Sequence, residues 1–344
     1  MSNIISKIIL SPYYLTLYLR NKLYDNGRFK SYSFDIPVIC VGNVTIGGTG
    51  KTPMAELIVR ILSENKRVAV ISRGYKRKSR GFRIVNVDDT AKKSGDEPLQ
   101  IKRKFPDVIV AVDKNRKRAI EHLLSLPAET RPEVIILDDA FQHRSITPSK
   151  SIVLIDYNRP IFKDSLVPFG KLRDIPSEIK RAQAVVITKS PEFLDEWERE
   201  KMKQLTRVRN SQKLFFAKVK YDGPQPVFKE YGDNRYIYSK EVALYSGIAN
   251  DKPLRIFLIG RYEKIHHVQY GDHHNFSRMN IYHIMRYAKA HPAALILTTE
   301  KDAQRLLHSK YIPKELKVRL FYIPIETEFL TPEEDVQFKK YLTE

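Results

Sequence analysis

The stretch PVICVGNVTIGGTGKTPMAELIVRILSE, residues 37–64, constrains the fold more than any other part of the chain. An apolar, β-branched run ends near Val41, a helical pattern starts near Pro53, and a glycine cluster joins the two. Gly47, Gly48 and Gly50 allow a tight turn that aims backbone N–H groups at an anion, and the helix N-terminus adds partial positive charge. In such a loop Lys51 reaches the β- and γ-phosphates of a nucleotide and the Thr52 hydroxyl binds Mg²⁺; Thr45 and Thr49 share the cradle. The G-x-x-x-x-G-K-[ST] pattern is met except at its first glycine, where Thr45 stands.

Five more apolar runs follow: RVAVISRG, DVIVAVD, EVIILDD, SIVLIDY and AVVITKS. Helical patterns such as EPLQIKRKF, NRKRAIEHLLS and PEFLDEWEREKMKQL lie between them. This alternation predicts an α/β chain: a P-loop NTPase-like, doubly wound, mostly parallel sheet, with ligands at the strand C-terminal ends. A second, smaller α/β domain is expected after a connector, FFAKVKYDGPQPVF, with a final helix from Thr331 to Leu342. The boundaries are set at 1–27 for an amphipathic N-terminal segment, 28–218 for the P-loop core and 219–344 for the smaller domain.

Sixty Lys and Arg against forty Asp and Glu give a net charge of +20, a field that attracts phosphorylated substrates, an anionic membrane surface or nucleic acid. No RNA-binding or zinc-finger signature is present, so no nucleic-acid partner is expected. The single cysteine, Cys40, rules out an intramolecular disulfide framework. In MSNIISKIILSPYYLTLYLRNKLYDNG, Lys7 interrupts the apolar stretch and Pro12 is expected to break or restart a helix, so no membrane-spanning helix is expected. Ile4, Ile5, Ile8 and Ile9 form one stripe, which Tyr13, Tyr14, Leu15, Leu17, Tyr18, Leu19, Leu23 and Tyr24 continue, with Lys7, Arg20, Lys22, Arg28 and Lys30 nearby. Such a segment suits a bilayer interface or packs on the protein's own core.

Asp138 and Asp139 end the run EVIIL, where nucleotide-binding sheets hold Mg²⁺ or its water shell, and Gln142 and His143 follow in DDAFQH. In KSGDEPLQ, Ser94 and Glu97 have the spacing of a capping box, which leaves Asp96 as a dipole partner or a base. EKIHHVQYGDHHNF holds His266, His267, His273 and His274; the spacing does not suit zinc, and a His beside Asp272 reads as an oriented acid/base, a substrate contact or a surface pair. TTEKDAQRL lacks the spacing of a guanine-reading [NT]-K-x-D motif, because Lys301 directly precedes Asp302.

The ordered set TIGGTGKTP, SRGYKRK, SGDEP, DDAFQH, PFGKLRDIP, SGIA, GDHHNF and TTEKDA closely resembles the tetraacyldisaccharide 4′-kinase family, the lipid A 4′-kinases of Gram-negative envelopes, over most of the chain. The family shares the threonine at position 45. It usually has Gly where Ala140 stands, and Gly-Pro-Leu-Arg-Glu where Gly170-Lys171-Leu172-Arg173-Asp174 stands. The resemblance implies an ATP- and Mg²⁺-dependent kinase that phosphorylates the 4′-hydroxyl of tetraacyldisaccharide 1-phosphate, giving lipid IVA. It also implies work at the cytoplasmic face of the bacterial inner membrane, through an N-terminal helix. Carried onto this chain, Asp96 is the expected general base and His273 its partner; Lys51 and Thr52 meet phosphate and Mg²⁺; Asp138, Asp139 and Gln142 form the Mg²⁺ region; Asn43, Arg73, Tyr75 and Arg173 contact substrate. The alternatives are a P-loop switch or metallochaperone of the same fold class, and a nucleic-acid-dependent NTPase.

Overall fold

The computed structural model describes residues 2–344, with side chains from residue 12 on. The first helix, α1 (Ser2–Asp25), runs through Pro12 instead of breaking there. Proline removes one hydrogen-bond donor, and the Thr16 hydroxyl still donates to the Pro12 carbonyl at 2.8 Å. The Ile4, Ile5, Ile8 and Ile9 stripe lies outside the described side chains. No helix among the described residues is long and apolar enough to cross a membrane.

The chain then alternates β1 (Val38–Gly42), α2 (Lys51–Ser63), β2 (Val68–Ser72), β3 (Arg83–Ile84), α3 (Ala91–Ser94), α4 (Asp96–Lys104), β4 (Ile109–Val112), α5 (Arg116–Leu124), β5 (Val134–Asp138), β6 (Lys150–Asp156), β7 (Ala184–Thr188), α6 (Glu196–Thr206) and β8 (Lys213–Tyr221). The five residues of β1, β2, β5 and β7 are all buried, as expected of parallel strands covered on both faces. After β9 (Gln225–Pro226) come β10 (Glu241–Ser246), α7 (Lys252–Ile259), β11 (Lys264–Gln269), α8 (Arg278–Ala290), β12 (Leu295–Thr299), α9 (Glu300–Leu306), α10 (Lys314–Lys317) and β13 (Leu320–Ile323). The chain ends in β14 (Ile325–Phe329) and α11 (Pro332–Thr343), which is capped by the Thr331 hydroxyl.

A nine-stranded sheet has the order β14-β8-β7-β6-β1-β5-β2-β4-β3, and a five-stranded sheet the order β11-β10-β12-β13-β9. Only the edge strands β14, β3 and β9 pair antiparallel. The expected unit of 219–344 therefore needs correction. Strand β14 pairs with β8, and Phe329, Phe338 and Tyr341 join the core of the large sheet, so the C-terminal segment returns to the first layer. The physical reason is the apolar face of β14 and α11, which covers Phe215 with Phe329 and Phe338.

Helix α1 uses its two faces differently. Asn21 is buried and its amide donates to Asp174 at 3.1 Å, Arg20 donates to the Gln142 carbonyl at 2.6 Å, and Arg144 donates to the Asn21 carbonyl at 2.8 Å. The other face leaves Leu15, Tyr18 and Leu19 exposed; Tyr13 and Tyr14, also exposed, flank the packed side, and the Tyr13 hydroxyl donates to the Arg173 carbonyl at 3.4 Å.

Candidate active site

The loop after β1 turns at Gly50, whose φ of 82° is left-handed and suits a residue without a Cβ. Among the described residues no carbonyl accepts from the N–H groups of Gly48, Gly50, Lys51 and Thr52, which are free to meet an anion at the start of α2. Thr45 departs from the glycine pattern for a local reason. It forms an antiparallel bridge with Leu172, flanked by Ile46 N donating to the Lys171 carbonyl at 2.6 Å and Arg173 N to the Val44 carbonyl at 2.9 Å. Extended backbone accommodates a β-branched residue. Asn43 donates to the hydroxyls of Thr49 (2.7 Å) and Thr45 (3.2 Å), so both threonines are fixed from below.

Strand β5 lies beside β1, with Asp138 opposite Val41, and so delivers Asp138 and Asp139 to the same end of the sheet. The two carboxylates have different surroundings. Asp139 is held by both ends of the Arg173 guanidinium, and Lys51 Nζ lies 3.9 Å away. Burial opposes its ionisation, but Lys51 and Arg173 outweigh it and bring its pKa down to about 2. Asp138 is 1% exposed, and neither carboxylate oxygen has a hydrogen-bond partner. Burial, with Glu97 and Asp139 nearby, pushes it up to about 7. An unpartnered buried carboxylate that feels the charge of Lys51 in the phosphate loop fits a hard divalent cation, whose charge would return Asp138 to its ionised form. Thr52 is buried at the start of α2, and Gln142 donates to the Asn43 carbonyl at 2.8 Å, behind the same loop. His143 is pushed down to about 4 by burial and by Arg116 and Arg73, and is neutral at pH 7. Burial also lowers Lys51, against the pull of Asp139, Glu97 and Asp138.

Helix α4 starts at Asp96, with Gly95 at its cap position. The capping box expected of Ser94 and Glu97 does not form. The Ser94 hydroxyl donates to Asp89 at 2.7 Å, and Glu97 makes an ion pair with Lys301. Lys301 holds the Glu97 carboxyl below its ordinary range. Asp96 Oδ2 accepts from His273 Nδ1 at 2.8 Å and from Arg305 Nε at 2.9 Å, with a second contact to Arg305 Nη2. Asp96 Oδ1 has no protein partner among these bonds. Burial would raise Asp96, but His273 and Arg305 outweigh it and leave it below the usual carboxylate range.

His273 comes from the smaller sheet, in left-handed backbone at φ 58°, and its N–H donates to the Gly247 carbonyl at 3.0 Å. Tyr75 covers its ring at 5.4 Å between centroids. Asp272 lies 3.9 Å from Nε2, so the closer carboxylate partner of His273 is Asp96 and not its sequence neighbour. His274 instead bonds Asn280 at 2.9 Å and stacks on Tyr270, and His267 bonds Asp251 at 2.7 Å. Among the described residues no cluster of three or more His, Cys, Asp or Glu side chains is arranged for a metal. Of the expected substrate contacts, Asn43 and Arg173 are joined at 2.6 Å beside the phosphate loop, and Tyr75 lies against His273. Arg73 is exposed after β2, where it acts on Arg116 and His143 only through space.

Sequence reasoning missed Arg305. Its guanidinium is buried and joins Asp96 to Asp302, whose other oxygen accepts from Gly247 N (2.8 Å) and the Thr299 hydroxyl (2.7 Å). The signal was present as Asp302 and Arg305 at i, i+3 on one short helix. Thus TTEKDA anchors the floor on which His273 rests. A Cβ on Gly247 would lie 2.9 Å from both Asp302 Oδ1 and His274 Cβ. Gly247→Ala is therefore expected to cut kcat by about 10- to 100-fold through a shifted His273. Steady-state kinetics with a melting curve checks this; an unchanged kcat contradicts it.

The sequence pattern of the tetraacyldisaccharide-1-P 4′-kinase family matches residues 6–343. The chain is 40% identical over 329 residues to a tetraacyldisaccharide 4′-kinase of Bacteroides thetaiotaomicron, covering 92% of this chain and 86% of that protein. It is 42% identical over 326 residues to the enzyme of that name from Porphyromonas gingivalis, covering 92% and 90%. The crystal structure of LpxK from Aquifex aeolicus in complex with ATP superposes with a TM-score of 0.75 at 27% identity, covering 99% of both chains. The chain belongs to the tetraacyldisaccharide-1-P 4′-kinase family.

Proposed function

We propose that this protein transfers the γ-phosphoryl group of ATP to the 4′-hydroxyl of a tetraacyldisaccharide 1-phosphate, giving lipid IVA in lipid A biosynthesis. The observation that carries the mechanism is the assembly of Asp96, His273 and Arg305 in the cleft that also holds Lys51. An ionised Asp96 can only accept, so the proton of the shared bond sits on His273 Nδ1. With Oδ2 engaged by His273 and Arg305, Oδ1 remains to take the acceptor's proton. As the hydroxyl oxygen bonds to the γ-phosphorus, its proton passes to Asp96 Oδ1, and the bond from γ-phosphorus to the bridging oxygen breaks to release ADP. Lys51 and the free N–H groups of the loop stabilise the phosphate charge. Thr52 and Asp138 would hold Mg²⁺, with Gln142 behind them; Mg²⁺ would neutralise charge on the β- and γ-phosphates. Asp139 is tied to Lys51 and Arg173 and orients both.

The exposed aromatic and leucine face of α1 supports a peripheral position at the cytoplasmic face of the inner membrane, because such a face suits an anionic bilayer surface and the substrate's acyl chains. Leu15→Asp with Leu19→Asp is expected to weaken binding to anionic vesicles by about tenfold or more. KM for the lipid should rise and KM for ATP should not. Vesicle sedimentation with paired KM values checks this; unchanged sedimentation assigns that face another role. The relatives named above are kinases, and neither a switch nor a metallochaperone is among them. The functional test is ADP release in the presence of disaccharide 1-phosphate or of nucleic acid: stimulation by the lipid alone is expected, and stimulation by nucleic acid alone contradicts the reading.

A further inference from the structure

Behind the site, a second charge cluster joins the three helices that carry it. Lys104 Nζ donates to Glu56 Oε2 at 2.7 Å and lies 3.5 Å from Glu300 Oε1. Gln100 donates to the other Glu56 oxygen at 2.7 Å, and Ile325 N donates to the other Glu300 oxygen at 3.4 Å. Glu56 and Glu300 are both buried, at 2% and 7% exposure.

Each helix has the catalytic cleft at one end and this cluster further along. Helix α2 begins with Lys51 and Thr52 and carries Glu56 one turn on. Helix α4 begins with Asp96, and Gln100 and Lys104 follow on the same stripe, four and eight residues later. Helix α9 begins with Glu300 and carries Lys301 to Glu97 and Arg305 to Asp96. A buried ion cluster is a weak stabiliser, because removing charge from water offsets most of the attraction; its best-attested use is to fix register. Helices α4 and α9 are joined by the ion pairs Lys104–Glu300, Glu97–Lys301 and Asp96–Arg305 and by a hydrogen bond from Arg103 to the Gln304 side chain at 2.7 Å. Neighbouring charges are the Arg60–Glu326 pair, and the Tyr322 phenol also faces the cluster.

We propose that Lys104 is a positioning residue for phosphoryl transfer: its ammonium, shared by Glu56 of α2 and Glu300 of α9, sets the distance between the phosphate loop and the Asp96–His273 pair. The inference rests on the kinase reading above. No reacting atom touches Lys104; it acts through the helices it ties.

Two variants of the full-length protein test it. Lys104→Met keeps the aliphatic stem and removes both bonds. Glu300→Gln keeps the Lys104–Glu56 pair and weakens only the tie to α9. Both are expected to lower kcat by about 10- to 100-fold at saturating ATP, since small misplacements in a reacting geometry have effects of that size. KM for ATP should stay within about twofold, because the loop that binds it is intact. A merely structural role lowers the melting temperature and leaves kcat per folded molecule unchanged. Values of kcat within about twofold of wild type in both variants overturn the proposal. If Lys104→Met does not fold, Glu300→Gln decides alone. Wild-type activity in the same assay separates the two failures: an inactive wild type sinks the kinase reading, and active variants sink only the role of Lys104.

Discussion

Asp96→Ala is expected to lower kcat by about 10²–10⁴-fold with ATP binding largely kept, the range for loss of a general base. A sugar hydroxyl is a poor nucleophile until its proton has an acceptor, and Asp96 Oδ1 is the acceptor the cleft offers. His273→Ala should cost less, because His273 holds Oδ2 and does not take the proton. The double variant should be barely slower than Asp96→Ala, since residues that act as one unit are not additive. The pH dependence follows from the direction of the shift. His273 and Arg305 outweigh burial and hold Asp96 below the ordinary carboxylate pKa of about 3.9. The acid limb of kcat/KM assigned to Asp96 thus lies below that value, and its contribution to folding stability is present above it and lost as pH falls through the folded pKa. In His273→Ala the acid limb should move up. A pH profile of both proteins measures this; coincident acid limbs would separate His273 from Asp96.

Lys51→Ala is expected to reduce kcat by at least about 10²-fold, the scale for losing one charge-stabilising group at a transferring phosphate. The protein should still fold, because Asp139 keeps the Arg173 guanidinium after the substitution. KM for ATP should rise as well, since Lys51 meets the nucleotide before and during transfer. A folded Lys51→Ala protein with wild-type kcat would remove the phosphate loop from the mechanism.

Much of this was legible because it is local. The loop 42–52 and the aspartate pair at 138–139 each depend on one strand end and its next residues. The alternation of apolar runs carried the doubly wound sheet for the same reason, since each strand's burial is written in consecutive residues. What failed was long-range. Glu97 has the spacing of a capping box, but its charge is 204 positions away from Lys301 in sequence and adjacent in space. Lys301 takes the Glu97 carboxylate and Asp89 takes the buried Ser94 hydroxyl, so neither is left for the cap. Arg305 was invisible as a site residue because its partner, Asp96, lies 209 positions upstream. Pro12 was expected to break α1, yet the helix is held by side chains from the site rim, including Arg144, that no local pattern shows. The return of β14 to β8 likewise depends on pairing between distant segments, which turn and helix signals do not specify.

The pairing of His273 with Asp96 lay between these cases. Residue patterns alone left each with other readings, the family resemblance paired them, and the structure has them 2.8 Å apart. The two sheets meet there through charged side chains, with Lys301 on Glu97 and Arg305 on Asp96. These ion pairs bring Asp96 and His273 together next to Glu97, whose carboxylate also feels the charge of Lys51.

The most direct test is mass spectrometry of the product. Purified protein, ATP, Mg²⁺ and tetraacyldisaccharide 1-phosphate are incubated, and the lipid is fragmented to locate any added phosphate. The account predicts the gain of one phosphate on the non-reducing sugar at the 4′ position, abolished by Asp96→Ala and Lys51→Ala. Nucleotide hydrolysis with no change in the lipid, or a phosphate added at another position, would contradict it.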